Sequence, residues 1–227
     1  MSDSLKLDRI AFYGRTLAEY VSIYDLNLPS LRGKKVLDCP GGAASFTAEA
    51  LQYGIETFAC DLLYGGDMTA VLAQGEADIA HTVERVAEVA HLFVWDFYRD
   101  AAGLRTSRTN ALRGFAAHYP QSRYVNAKLP TLPFAERAFD LVLSGHLLFT
   151  YSDRLDYDFH LRALRELYRV TTDEVRVYPI QGLDAKPYPQ LPQLIADLQT
   201  EGLHAEVVPV PFEFQRGSNE ILRLKRS

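Results

Sequence analysis

Residues 34–46, KKVLDCPGGAASF, constrain the fold of this chain more than any other stretch. Lys34 and Lys35 lead into Val36 and Leu37, a short apolar run that ends on Asp38 and is followed by Pro40, Gly41 and Gly42. That pattern reads as a buried strand breaking into a tight turn. Beyond the turn Ser45 is a candidate helix cap, with Phe46, Ala50 and Leu51 on one face and Glu49 in the first turn. A helix that starts beside a glycine turn directs backbone N–H groups and a positive dipole end at whatever lies above the strand. The stretch therefore predicts a pocket for a charged or polar cofactor. A glycine turn alone equally describes a plain connection, and the next strand decides between the two. Residues 56–61, ETFACD, form a second apolar run ending on Asp61, 23 residues after Asp38. In a β-α-β unit an acid about 20 residues on, at the end of the second strand, is placed to accept hydrogen bonds from both hydroxyls of a ribose. The expected ligand contains a nucleoside.

The rest of the chain continues the alternation. Residues 8–26 read as a helical segment with Leu17, Tyr20, Val21 and Tyr24 on one stripe, residues 68–90 as one or two helices, and residues 101–119 as an added helical region. Residues 92–98, LFVWDFY, look strand-like around Asp96, which either points into a cavity or caps the helix that follows. Residues 124–127 make a short third strand. Residues 139–143, FDLVL, are the most hydrophobic strand and so the central one. His146 lies just past its end, where a parallel strand meets the binding crevice, and is the first candidate for contact with the reacting group. The plainer alternative is a histidine bonded within the turn. Residues 156–170 form an amphipathic helix with Phe159, Leu161, Leu164, Leu167 and Tyr168 as its apolar face. A strand at 174–180 and a helix at 191–201 follow, and two closing strands at 204–214 and 219–225 are joined tightly by RGS, which sets the last strand antiparallel to its neighbour.

Three stretches, VLDCPGGAAS (36–45), ACD (59–61) and LPFAERAFDLVLSGHLLFTY (132–151), together resemble the class I S-adenosylmethionine-dependent methyltransferases. The resemblance implies one α/β domain over residues 1–227: a Rossmann-like, doubly wound, seven-stranded sheet, mostly parallel with an antiparallel last strand and helices on both faces. It also implies an N-terminal segment (1–33) lying over the cofactor site and a helical insertion (98–122) that shapes the substrate pocket. S-adenosyl-L-methionine is the implied cofactor. The implied contacts are Tyr13, Arg15, Asp38, Cys39, Pro40, Gly41, Gly42, Asp61, Asn126, Ala127, Ser144 and Gly145, with Arg15 on the methionine carboxylate and Asp61 on the ribose. His146 and Tyr151 are then nearest the methyl acceptor, expected to be a small molecule. The sequence departs from the family's acid-x-Gly-x-Gly-x-Gly pattern: Pro40, Gly42 and Ala44 stand at the three glycine places. Asn126 or Lys128 occupies the neighbourhood of the family's third-strand acid.

Charge separates the rival readings. The formal net charge is −5, which disfavours broad nucleic-acid binding, yet residues 101–135 contain no acid while holding Arg105, Arg108, Arg113, Arg123 and Lys128. This segment is either a solvated helix face or a site for an anionic partner, and so leaves an RNA or protein methyltransferase as an alternative. The altered glycine motif leaves a third, a non-catalytic cofactor binder. Cys39 and Cys60 are expected to be buried free thiols rather than a disulfide or metal pair. No apolar run reaches the roughly 18 residues of a membrane span, and the cytoplasm is the expected compartment. A zinc pattern, a phosphate-binding P-loop and a Ser-His-Asp signal are absent, and a nicotinamide-binding dehydrogenase would need a G-x-G-x-x-G that the chain lacks.

Overall fold

Short apolar runs become strands β1 (Lys35–Asp38), β2 (Glu56–Asp61), β3 (Tyr124–Asn126), β4 (Phe139–Gly145), β5 (Thr171–Tyr178), β6 (His204–Pro209) and β7 (Glu220–Lys225) in the computed structural model, which describes residues 4–7 and 9–226. The helices are α1 (Leu17–Tyr24), α2 (Leu28–Leu31), α3 (Phe46–Leu51), α4 (Met68–Glu88), α5 (Ala101–His118), α6 (Tyr157–Val170) and α7 (Leu191–Thr200). The strands form one sheet in the order β3-β2-β1-β4-β5-β7-β6. All neighbours pair in parallel except β7, which runs antiparallel to both β5 and β6. This is the Rossmann-like seven-stranded arrangement expected from the sequence. Successive residues of a strand face opposite sides, so Val36 packs with Tyr20 and Phe46 of α1 and α3, while Leu37 joins Leu164 and Leu194 of α6 and α7. The sheet is thus covered on both faces. No helix among the described residues is long and apolar enough to cross a membrane.

Several local expectations are corrected. The helix expected over 8–26 is confined to α1; its first residue, Asp8, lies outside the described residues. Thr16 and Glu19 form a capping box that starts the helix at Leu17. Before it the chain is extended, because its backbone bonds to distant groups: Phe12 N–H donates to Asp78 Oδ2 at 2.8 Å and Ala11 N–H to the Tyr151 hydroxyl at 3.2 Å. Ser45 occupies the cap position of α3 but makes no side-chain cap; its hydroxyl donates to Glu49 instead. Residues 92–98 do not form a strand, and Asp96 is exposed. The cap of α5 is Asp100, accepting from Gly103 N–H at 2.7 Å, so Asp96 neither caps nor faces a cavity. In α6 the buried stripe is His160, Ala163, Leu164, Leu167 and Val170. It is turned from the expected face because His160 is held by the carbonyls of Asp156 at 2.6 Å and Leu148 at 3.0 Å. The final connection is no tight hairpin but an excursion over residues 210–219. Pro211 has no N–H for a ladder bond, and Phe212 and Phe214 leave the sheet to pack on Tyr98, with ring centroids 6.3 and 4.7 Å away.

Gly14 fixes how closely the extended segment lies on the β1–α3 turn: a Cβ there would sit 1.9 Å from the carbonyl oxygen of Ala43. Backbone cannot yield as a side chain does, so Gly14→Ala is expected to cost about 1–3 kcal/mol, read as a fall in the midpoint of urea unfolding. An unchanged midpoint would mean that the segment is not seated on the turn.

Candidate active site

At the carboxyl ends of β1, β2 and β4 the chain encloses a cavity of about 420 Å³. Its floor is the β1–α3 turn. Gly41 N–H donates to Cys60 O at 2.9 Å, and Gly42 N–H to Asp61 Oδ2 at 3.1 Å. Gly42 has φ +50°, the left-handed region that favours glycine; of the three glycine places in the motif, the one that keeps its glycine is the one whose backbone requires it. Gly41 is needed for space, since a Cβ would come within 2.7 Å of the Tyr64 hydroxyl. One N–H group at the helix start is taken by the chain itself rather than left for a ligand. Ser45 N–H donates to Arg15 O at 3.1 Å, so residues 13–16 of the chain itself lie above the helix start.

Cys39, Pro40, Gly41, Gly42, Asp61, Ala127 and Gly145 all line the cavity, as do Tyr13, Arg15, His146 and Tyr151. Asp61 accepts Leu63 N–H at 2.9 Å on its other oxygen. Burial pushes its carboxyl up, and the Leu63 and Gly42 N–H groups pull it back. Each carboxylate oxygen retains acceptor capacity beyond these bonds. Asp38, Asn126 and Ser144 do not reach the wall. Asp38 is fully buried beneath the turn, where Oδ2 accepts the Tyr20 hydroxyl at 2.8 Å and Oδ1 has no partner among the described residues. Burial pushes it up to about 8 against the pull of that hydroxyl and of Arg15. Its reach to the cavity is through Tyr20, which does line the wall. Asn126 turns away to donate to Leu62 O at 2.8 Å and to Tyr64 O. Ser144 is buried behind Gly145. Cys39 and Cys60 are free and buried, and the neighbouring Cys60 together with burial pushes the Cys39 thiol up.

The roof is the extended N-terminal segment. Arg15 lines the cavity, and its buried Nε has no hydrogen-bond partner among the described residues. A buried guanidinium nitrogen left so is costly, which marks a place for an acceptor group. Beneath the segment, fully buried Glu19 accepts from Arg108, Ser107 and Tyr98. Burial raises the Glu19 carboxyl, but Arg108 and Arg15, with hydrogen bonds from Thr16 and Tyr98, outweigh it and hold it at about 2. The Arg108 guanidinium also lies 4.8 Å from the Tyr13 ring centroid. Sequence reasoning missed Arg108 as a wall residue, and its acid-free surroundings in the chain gave no hint of a carboxylate supplied from α1.

His146 has φ 54°, and its N–H donates to Tyr178 O at 2.7 Å. Gly145 before it is needed for space, as a Cβ would meet the Tyr24 hydroxyl at 2.6 Å. Burial, with Arg15 and Arg108 adding to it, drives His146 well below the ordinary imidazole range, so its ring is neutral near pH 7. Burial keeps the Tyr151 phenol protonated. Tyr178, Phe214, Gln215 and Ser218 complete the wall. The last three come from the 210–219 excursion, in which Pro211 was a readable sign that the ladder stops.

Residues 87–178 match the sequence model of a family described as a methyltransferase domain. The match begins after the glycine turn and takes in α5, β3, β4, α6 and β5. A protein of Methanocaldococcus jannaschii described as uncharacterized is 25% identical over 225 residues, 98% of this chain and 99% of its own. Among solved structures, the chain is similar to the Burkholderia thailandensis 1,6-didemethyltoxoflavin-N1-methyltransferase with bound 1,6-didemethyltoxoflavin and S-adenosylhomocysteine. Identity is 13% and the TM-score 0.48, with 91% of this chain and 76% of that one covered. It is also similar to a TehB-like SAM-dependent methyltransferase from Corynebacterium glutamicum, at 15% identity and a TM-score of 0.46, covering 92% and 94%.

Proposed function

We propose that this chain is a single-domain S-adenosylmethionine-dependent methyltransferase acting on a small-molecule acceptor. The observation that carries the reading is the pairing of two unlike groups in one cavity: the Asp61 carboxylate at the end of β2 and Arg15 in the roof, whose buried Nε has no hydrogen-bond partner among the described residues. They suit the two polar ends of that cofactor. Asp61 accepts hydrogen bonds from the ribose hydroxyls, and Arg15 meets the methionine carboxylate. Ala127, Lys128, Leu129 and the exposed Leu62 are the surfaces left for the base. Tyr13, Cys39, Pro40 and Gly145 bound the middle.

When bound, the cofactor supplies a sulfonium-activated methyl group. The protein's share is alignment, which in favourable cases is worth roughly 7–11 kcal/mol. Neutral His146 holds a ring nitrogen free to take a proton from an acceptor O–H or N–H, and Tyr151 offers a phenol to orient it. The N-terminal segment over the turn excludes water. Two members of the acid-free segment are unsuited to a polyanion, because Arg108 is buried against Glu19 and Arg123 lies over the Phe58 ring at 5.2 Å, while Arg105 and Arg113 are exposed on α5.

The test is isothermal titration of the protein with S-adenosylhomocysteine, using NADH as the control. Selective binding of the former is expected. Binding of NADH alone, or of neither, overturns the cofactor assignment.

A further inference from the structure

The wall of the same cavity also has an apolar part, a lobe made of residues other than those assigned above to the cofactor. Its walls include Phe12, Val86, Phe93, Leu155, Leu183 and Phe214. They come from separate stretches that hold one another: Leu5 N–H donates to Leu183 O at 3.1 Å, and the Phe93 and Phe214 rings lie 4.7 Å apart. Phe93 also bridges to Gln215. The polar groups among these walls, Thr82, Thr150, Tyr151, Gln215 and Ser218, carry no charge. The four charged side chains of the whole wall are Arg15, Asp61, Arg108 and Lys128. Arg108 is consumed by Glu19, and Asp61 and Lys128 stand at the ends of β2 and β3.

On the methyltransferase reading, on which this step rests, Arg15 is consumed as well. An anionic acceptor would then enter the lobe with no counter-charge and a cationic one with no acid, each at the cost of desolvating an unpaired charge. A flat apolar molecule meets the opposite situation, since aromatic and aliphatic walls repay its transfer from water. We infer that the lobe is the acceptor site and takes a neutral, predominantly apolar ring molecule, with its polar substituent turned toward His146 and Tyr151.

Matched probes test this on the full chain, with and without saturating S-adenosylhomocysteine: 2-naphthol, which is neutral at pH 7, and 2-naphthoate, which has the same ring but is charged. Naphthol is expected to bind the cofactor-product complex at least tenfold more tightly than naphthoate. Filling the lobe with Leu183→Trp or Leu155→Trp should weaken naphthol at least tenfold while S-adenosylhomocysteine affinity stays within twofold, with thermal unfolding showing that each variant is folded. Naphthoate binding as tightly as naphthol overturns the inference and gives Arg15 to the acceptor. Unchanged naphthol affinity in both variants overturns the lobe as its site. Naphthol binding in a chain that takes no S-adenosylhomocysteine upholds the lobe and removes the cofactor reading instead, so the two fail separately.

Discussion

Arg108→Met is expected to lose about 3–5 kcal/mol of folding stability, the usual cost of removing one partner of a buried ion pair and leaving the other charge uncompensated. Glu19 and Arg108 are both essentially inaccessible, at 0% and 1% exposure, so solvent cannot take over the missing partner. For a chain of this size the loss corresponds to a fall of roughly 10 °C in melting temperature. The double variant Glu19→Gln/Arg108→Met should recover part of it, because no buried charge remains. The pH dependence carries a sign of its own. In the native chain Glu19 is held at about 2, below its ordinary 4.5, so its contribution is present above pH 4.5 and lost as pH falls toward 2. Without Arg108, burial dominates and raises that carboxyl, whose contribution is then present at low pH and lost as pH rises. The gap between native and variant in urea unfolding should therefore narrow from pH 7 to pH 4.5. A variant within 1 kcal/mol of native at both pH values would show that this pair does not tie the N-terminal roof to α5.

Asp61→Ala should weaken S-adenosylhomocysteine by at least about thirtyfold, on the order of 2 kcal/mol, as expected for loss of charge-assisted hydrogen bonds to two hydroxyls. The same carboxylate holds Gly42 N–H and Leu63 N–H, so the turn loosens too, and thermal unfolding of the variant separates the two effects. Asp61→Asn keeps an acceptor for one of those N–H groups and should be intermediate in affinity. Undiminished affinity in the alanine variant, measured by calorimetry, would remove the ribose assignment.

The strand ends that frame the cavity were legible because their signals are local. Val36, Leu37 and Asp38, then Ala59, Cys60 and Asp61, each place an apolar run before an acid and a turn. Phe139 to Leu143 announce a buried central strand by composition alone. The start of α1 was equally local, in the spacing of Thr16 and Glu19, though the aromatic stripe of the surrounding residues suggested a longer helix. In α6 the expected face was misplaced because a histidine reads as polar until its two carbonyl partners are in view.

The amino-acid sequence by itself determined the strands that frame the cavity and the turn at its mouth, since periodicity, glycine and proline act through neighbours in the chain. Tertiary structure alone decided what covers that turn. Residues 10–16 stay outside any helix because Asp78, Tyr151 and the backbone at Ser45 satisfy them from 30 or more residues away. Arg108 is a buried anchor because α1 brings it a carboxylate. Phe214 reaches the cavity wall because a proline-broken connection carries it to Phe93. Such long-range pairings are chosen by the packing of the whole chain, where each group must find a partner or be left unsatisfied in the interior.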